Sequence, residues 1–95
     1  MGAGMNTKFH KYRLPNPLGY FEKNGLNLIG KGEWRSAICP FHKDTEPSLR
    51  VRVENGAFRC LACGKKGGDI VAFHQKRFGV SFKDACIALG AWGQS

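Results

Sequence analysis

Apolar and polar residues alternate over Ser48-Leu49-Arg50-Val51-Arg52-Val53, the period-two signature of a strand with one buried face. Asn55-Gly56 follows, the strongest short hairpin signal, and Ala57-Phe58-Arg59-Cys60 runs back. A two-residue turn there sets Arg52 opposite Arg59, Val53 opposite Phe58 and Val51 opposite Cys60. Leu49, Val51, Val53 and Phe58 then share the core face, and Arg50, Arg52 and Arg59 share the other. Upstream, Leu26-Asn27-Leu28-Ile29 and Trp34-Arg35-Ser36-Ala37-Ile38 read as two further short strands joined through Gly30-Lys31-Gly32. Before them Asn16 caps a short helix, with Pro17 at its first position, Gly25 past its end, and Leu18 and Phe21 facing inward. Past the hairpin the period changes. Asp69 caps a helix through Ile70-Val71-Ala72-Phe73 that stops at Gly79. Ser81 and Asp84 form a capping box for another, ended by Gly90. In that helix Phe82, Ala85, Cys86 and Leu89 recur at helical spacing as an inward stripe, which makes Cys86 a core thiol.

The pattern predicts a small α+β domain: an antiparallel sheet, one short N-terminal helix and two C-terminal helices. It occupies residues 15–92. Residues 1–14 carry Lys8, His10, Lys11 and Arg13 with no acid, and read as a basic flexible arm. A 95-residue chain buries only a marginal core, and small domains commonly need a staple. The staple is visible in Cys39-Pro40-Phe41-His42 and Cys60-Leu61-Ala62-Cys63-Gly64. Two residues between the members of each pair let a tight turn aim both side chains at one ion, and Gly64 lets the second turn close. One imidazole and three thiolates suit a single structural zinc ion in a tetrahedron. Cys39, His42, Cys60 and Cys63 are therefore the expected ligands, and the architecture is a zinc ribbon. His10 and His74 have no partner at ligand spacing. Four protein ligands leave no open position for a catalytic water, and no paired-Asp motif offers a two-metal centre, so the chain reads as non-catalytic by itself.

Lys and Arg outnumber Asp and Glu by 15 to 7, a net charge of +8 that favours an anionic partner, nucleic acid first. The face bearing Arg50, Arg52 and Arg59 suits phosphate oxygens, which guanidinium forks grip in pairs; a merely solvated sheet face is the competing reading. Lys43, Lys65 and Lys66 flank the zinc turns, and Arg35 and Trp34 lie nearby on the second strand. Trp34 and Phe41 fit either stacking on unpaired bases or the core. No 18-residue apolar run exists, so no membrane helix is expected, and reduced cysteines point to the cytoplasm.

Cys39-Pro-Phe-His42, Thr45-Glu-Pro-Ser-Leu49-Arg-Val51, Phe58-Arg-Cys60-Leu-Ala-Cys63-Gly64, Gly67-Gly-Asp69-Ile-Val-Ala-Phe73 and Phe82-Lys-Asp-Ala85 occur in this order. Together they resemble the N-terminal zinc-binding domain of bacterial and phage DNA primases over about residues 26–90. The resemblance implies a zinc ribbon that recognises single-stranded DNA template at primer start sites, while a separate catalytic domain polymerises the primer. It implies a primase catalytic domain or a helicase as partner, with this domain acting as a monomer. The acidic metal ligands of the catalytic domain have no counterpart here. Either a piece of a longer primase or a stand-alone protein of a mobile genetic element, such as a phage or conjugative plasmid, fits the motifs. Two other functions compete: a protein-interaction module docking onto a replication or transcription enzyme, and a small regulator binding duplex DNA. The second is weakened by helices that offer only Lys76, Arg77 and Lys83.

Overall fold

The computed structural model describes residues 9–43 and 45–93. A short 3-10 turn, Lys11–Arg13, leads into helix α1, Pro17–Lys23. Four strands follow: β1 Trp34–Ala37, β2 Leu49–Arg52, β3 Phe58–Cys60 and β4 Lys66–Gly67. Helices α2, Ile70–Phe78, and α3, Phe82–Ala88, close the domain. The strands form one antiparallel sheet in the order β1-β2-β3-β4, each beside its neighbour in sequence.

The helix ends follow local chemistry. Asn16 accepts from the Gly19 N–H, and Pro17 needs no intrahelical donor. Asp69 accepts from Ala72 N at 2.9 Å, and Gly79 closes α2 in the left-handed conformation. Ser81 accepts from Asp84 N at 3.0 Å, which is the Ser half of the expected capping box.

The larger of two core clusters is rich in aromatic rings and lies between the sheet and the helices. Phe73 of α2 is its hub, with ring centroids 4.8 Å from Phe21, 5.2 Å from Phe58 and 5.3 Å from Phe41. Leu49, Val51, Phe58 and Cys60 supply the sheet's buried face. Phe21 is buried as expected, but its companion is Tyr20, while Leu18 is only half-buried. The Tyr20 hydroxyl hydrogen-bonds His74 Nδ1 at 2.7 Å. Burial pushes the Tyr20 phenol up to about 12 and holds the His74 imidazole below its ordinary value. Val71, Ala85 and Cys86 form a second cluster between α2 and α3, so Cys86 is a core thiol, whereas Phe82 is largely exposed. Of the arm expected over 1–14, residues 1–8 lie outside the described residues. The rest is docked: Phe9 bridges to Trp92, His10 N donates to Ala91 O at 2.8 Å, and the Phe9 ring meets Phe82 edge-on.

Two expectations need correction. Leu26–Ile29 is not a strand; it makes a single bridge, Ile29 to Ser36. The chain leaving α1 is used otherwise, because Leu26 N donates to Phe21 O and the Leu26 side chain turns into the core. The hairpin register also differs. The pairs are Leu49 with Cys60, Arg50 with Arg59 and Val51 with Phe58, two residues from the expected register. An Asn-Gly turn of two residues requires positive φ at both, and here only Gly56 has it. Instead Asn55 Oδ1 accepts from Ala57 N, Arg52 N donates to Ala57 O, and residues 53–56 form a four-residue loop. A shift of two preserves the faces. It takes Val53 out of the core face and sets Arg50, not Arg52, opposite Arg59. Strand β4 had no sequence signal, since two residues show no alternation.

Gly56 has φ near +82°, and a Cβ there would lie 2.3 Å from Ile70 Cγ2 and 2.9 Å from Ile70 N. Gly56→Ala is expected to cost about 3 kcal/mol, from left-handed strain together with overpacking. Gly30→Ala shares the positive φ but faces open space, and should cost about 1 kcal/mol. Denaturant midpoints of the zinc-loaded variants measure both.

Candidate metal centre

Sheet order brings the ligand pairs together. Cys39 follows the end of β1 and Cys60 ends β3, and the two strands flank β2 on opposite sides with Ala37 and Cys60 both beside Leu49. Both ligand turns therefore leave the same end of the sheet. The second is closed by Gly64, at φ near +81°, and by Gly64 N donating to Cys60 O at 3.0 Å. Cys60 N donates to Lys65 O at 2.8 Å, which returns the chain into β4.

The Sγ atoms of Cys39, Cys60 and Cys63 and a ring nitrogen of His42 all lie within 4.8 Å of one another. A tetrahedron of zinc–sulfur bonds of about 2.3 Å sets sulfurs about 3.8 Å apart. Cys39 Sγ and Cys63 Sγ are 3.8 Å apart, so the residues fit the ion. Donors surround the sulfurs: Phe41 N reaches Cys39 Sγ at 3.4 Å, Cys63 N reaches Cys60 Sγ at 3.3 Å, and Ser48 Oγ lies 3.5 Å from Cys60 Sγ. Burial opposes charge on Cys60, but the Cys63 N–H and the Ser48 hydroxyl outweigh it and bring that thiol down to about 6. Burial pushes Cys39 up to about 12. Cys39 and Cys60 thus resist sharing negative charge, a conflict that a dication would remove. These four residues form a zinc-binding cluster that joins the two ligand turns. Zinc held by these four side chains would supply a structural cross-link, with protein atoms as its ligands. Phe41 packs as core rather than presenting its ring, stacked near Phe58 with centroids 5.9 Å apart. His10 and His74 are engaged elsewhere: His10 Nε2 lies 2.8 Å from Gly93 O, and His74 meets Tyr20.

The sheet's outer face carries the charge. Across the strands, Ser36, Arg50, Arg59 and Lys66 stand in register on that face, so three cations occupy neighbouring positions. Sequence reasoning placed Lys66 only near the zinc turn, because β4 was not visible. Toward the hairpin, Trp34 stands beside Arg52 on the same face and is 49% exposed, which removes it from the core. Arg52 is tied to Glu33 through its Nε and to Glu54 at 2.7 Å. Among the described residues Arg59 and Lys66 have no carboxylate partner. Arg50 Nη1 donates to Pro47 O at 2.7 Å. Arg35 pairs with Val51 and belongs to the opposite face, with its Nε donating to Gly32 O, so it does not join the outer cations. Lys43 and Lys65 are exposed beside the ligand turns.

Residues 22–93 match the CHC2 zinc finger family. The DNA primase of Mycobacterium tuberculosis is 50% identical over 52 residues, 55% of this chain and 8% of that protein. The DNA primase of Thermotoga maritima is 38% identical over 64 residues, 67% of this chain and 11% of that protein. This chain thus spans about a tenth of the length of the curated relatives it matches. The crystal structure of the Aquifex aeolicus primase, zinc-binding and RNA polymerase domains, superposes with a TM-score of 0.69 at 29% identity, covering 84% of this chain and 19% of that one.

Structural zinc contributes on the order of 10 kcal/mol of folding free energy in small domains. One zinc per chain is expected by elemental analysis. Excess chelator should collapse the circular dichroism spectrum, and Cys63→Ser should lower zinc affinity at least tenfold.

Proposed function

This chain belongs to the CHC2 zinc-finger family of DNA primases, and on that footing we propose that it binds single-stranded DNA template for primer synthesis through the outer face of its sheet. The observation that carries the reading is the row Arg50, Arg59 and Lys66, three cations side by side on a rigid face. Like charges at such positions repel, and a phosphate chain relieves that repulsion. Arg52 already has two carboxylates, so Arg59 and Lys66 are the stronger phosphate contacts, with Lys43 and Lys65 extending the positive surface toward the zinc end. Arg35, on the other face, is not assigned a contact.

In this reading the domain acts as a monomer in the cytoplasm and catalyses nothing itself. Its four-ligand metal shell has no place for substrate, and polymerisation belongs to a primase catalytic domain. No described helix is long and apolar enough to cross a membrane. One observation favours an added docking role: Ile38 and Leu61 are 44% and 60% exposed at the zinc end. An apolar pair beside the cationic row suits a catalytic domain or helicase. Capture of such a partner from nuclease-treated lysate, lost in Leu61→Glu, tests that role.

Binding of a labelled single strand to the zinc-loaded chain should weaken with salt at a log-log slope of about −0.7 per phosphate neutralised. Arg59→Ala and Lys66→Ala should each reduce the slope by about 0.7 with zinc content unchanged, and Arg52→Ala should reduce it less. Absence of binding at low salt would remove the reading.

A further inference from the structure

We propose that the outer face also holds a seat for one unpaired nucleobase, with Trp34 as its stacking wall, Ala57, Gly67 and Gly68 as its floor, and Arg59 and Lys66 at its phosphate edge. The proposal rests on the single-strand reading and adds a base-contacting residue and a direction for the strand.

A depression of about 500 Å³ is lined by these six residues together with Phe58 beneath. It arises from absent side chains. In the row one step toward the hairpin from the cations, Trp34 stands beside Arg52, and Arg52 N donates to Ala57 O. On β4 the pairing of Phe58 with Gly67 carries that row on to Gly68. Arg52 lies between Trp34 and Ala57 but is held by Glu33 and Glu54, and it does not line the depression.

The two glycines have different explanations. Gly67 is required by packing, since a Cβ there would lie 2.6 Å from Phe58 Cε1 and 2.7 Å from Ala72 Cβ. Gly68 is not: a Cβ there meets nothing within 4 Å, and its backbone is not in the left-handed region. No internal packing demands glycine at 68, yet any larger side chain would stand in the depression. The floor is kept clear on the solvent side.

The occupant follows from chemistry. A half-exposed indole beside a floor of one alanine and two glycines matches an aromatic ring laid on the sheet. The cations at its rim have no carboxylate partners among the described residues and match the phosphate attached to that ring. A base paired in duplex offers only its edge and cannot reach the floor. The cations run across the strands, about 4.8 Å apart from one strand to the next. The backbone should therefore cross the sheet from β2 to β4, with its bases turned toward the hairpin rather than the zinc.

The test uses the zinc-loaded chain, a short oligothymidylate and the same oligonucleotide with abasic positions. Gly68→Leu fills the floor, Trp34→Ala removes the wall, and Trp34→Phe restores a ring. Gly68→Leu and Trp34→Ala should each weaken binding of the intact oligonucleotide about tenfold with an unchanged salt slope, while Trp34→Phe recovers most of the loss. The abasic strand should bind the parent no better than the intact strand binds Trp34→Ala. Trp34 is exposed, so its variant reads out even if Gly68→Leu misfolds. Salt-dependent binding by the parent that is indifferent to Trp34→Ala and to base removal overturns the seat and leaves the phosphate reading standing. No binding by the parent at low salt overturns both.

Discussion

The cross-link between the two ligand turns is the constraint on which the rest depends. Cys39 and Cys60 are at once zinc ligands and members of the apolar core, in one cluster with Leu49, Phe58 and Phe73. Cooperative folding therefore has no separate metal step and packing step. Fixing the sulfurs fixes the ends of β1 and β3, and those ends fix β2 between them. The Cys63 N–H and Ser48 hydroxyl aimed at Cys60 stabilise charge where the low-dielectric core would otherwise reject it.

The same constraint allows a surface that is unfavourable in isolation. Arg50 and Arg59 are direct cross-strand neighbours, and Lys66 is the next position over. Repulsion in such a row costs a few tenths of a kcal/mol to about 1 kcal/mol per pair. A sheet with strands of two to four residues has little stability to spare for it. Zinc binding, on the order of 10 kcal/mol, absorbs that cost. Arg50 bonding Pro47 O and Arg52 bonding Glu33 and Glu54 reduce the repulsion locally, while among the described residues Arg59 and Lys66 have no carboxylate partner.

What the sequence made legible divides by range. The zinc ligands, the Asn16, Asp69 and Ser81 caps and the Gly79 stop depend on residues within a few positions of one another, and each lies where its local chemistry places it. The hairpin register differs because Asn-Gly marks a turn without fixing its length; here Asn55 Oδ1 accepts from Ala57 N and Gly56 packs against Ile70, 14 residues on. The Arg52–Glu33 pair has no sequence signal because Glu33 is 19 residues away, beside a strand neighbour that only the sheet brings close. Trp34 fitted the core on composition; register against Arg52 put it outside. Strand β4 is too short for any periodicity, yet it turns Lys66 from a loop residue into the end of the cationic row.

The sheet divides the domain into two faces with different duties. Its inner face is wholly committed: a Cβ at Gly67 meets Phe58, and Phe58 meets Phe73. Its outer face is held flat by the same contacts but is filled by little, with small residues at 57 and 68 beside a large one at 34. A surface that cannot adapt selects by shape, and bound groups lose freedom without the protein losing any. For a single strand laid on such a face, phosphate contacts would be shared by every sequence, and discrimination would fall to what the floor admits. In the proposed reading, the cross-link at the zinc cluster is what would tie the metal site to template recognition on the sheet's outer face.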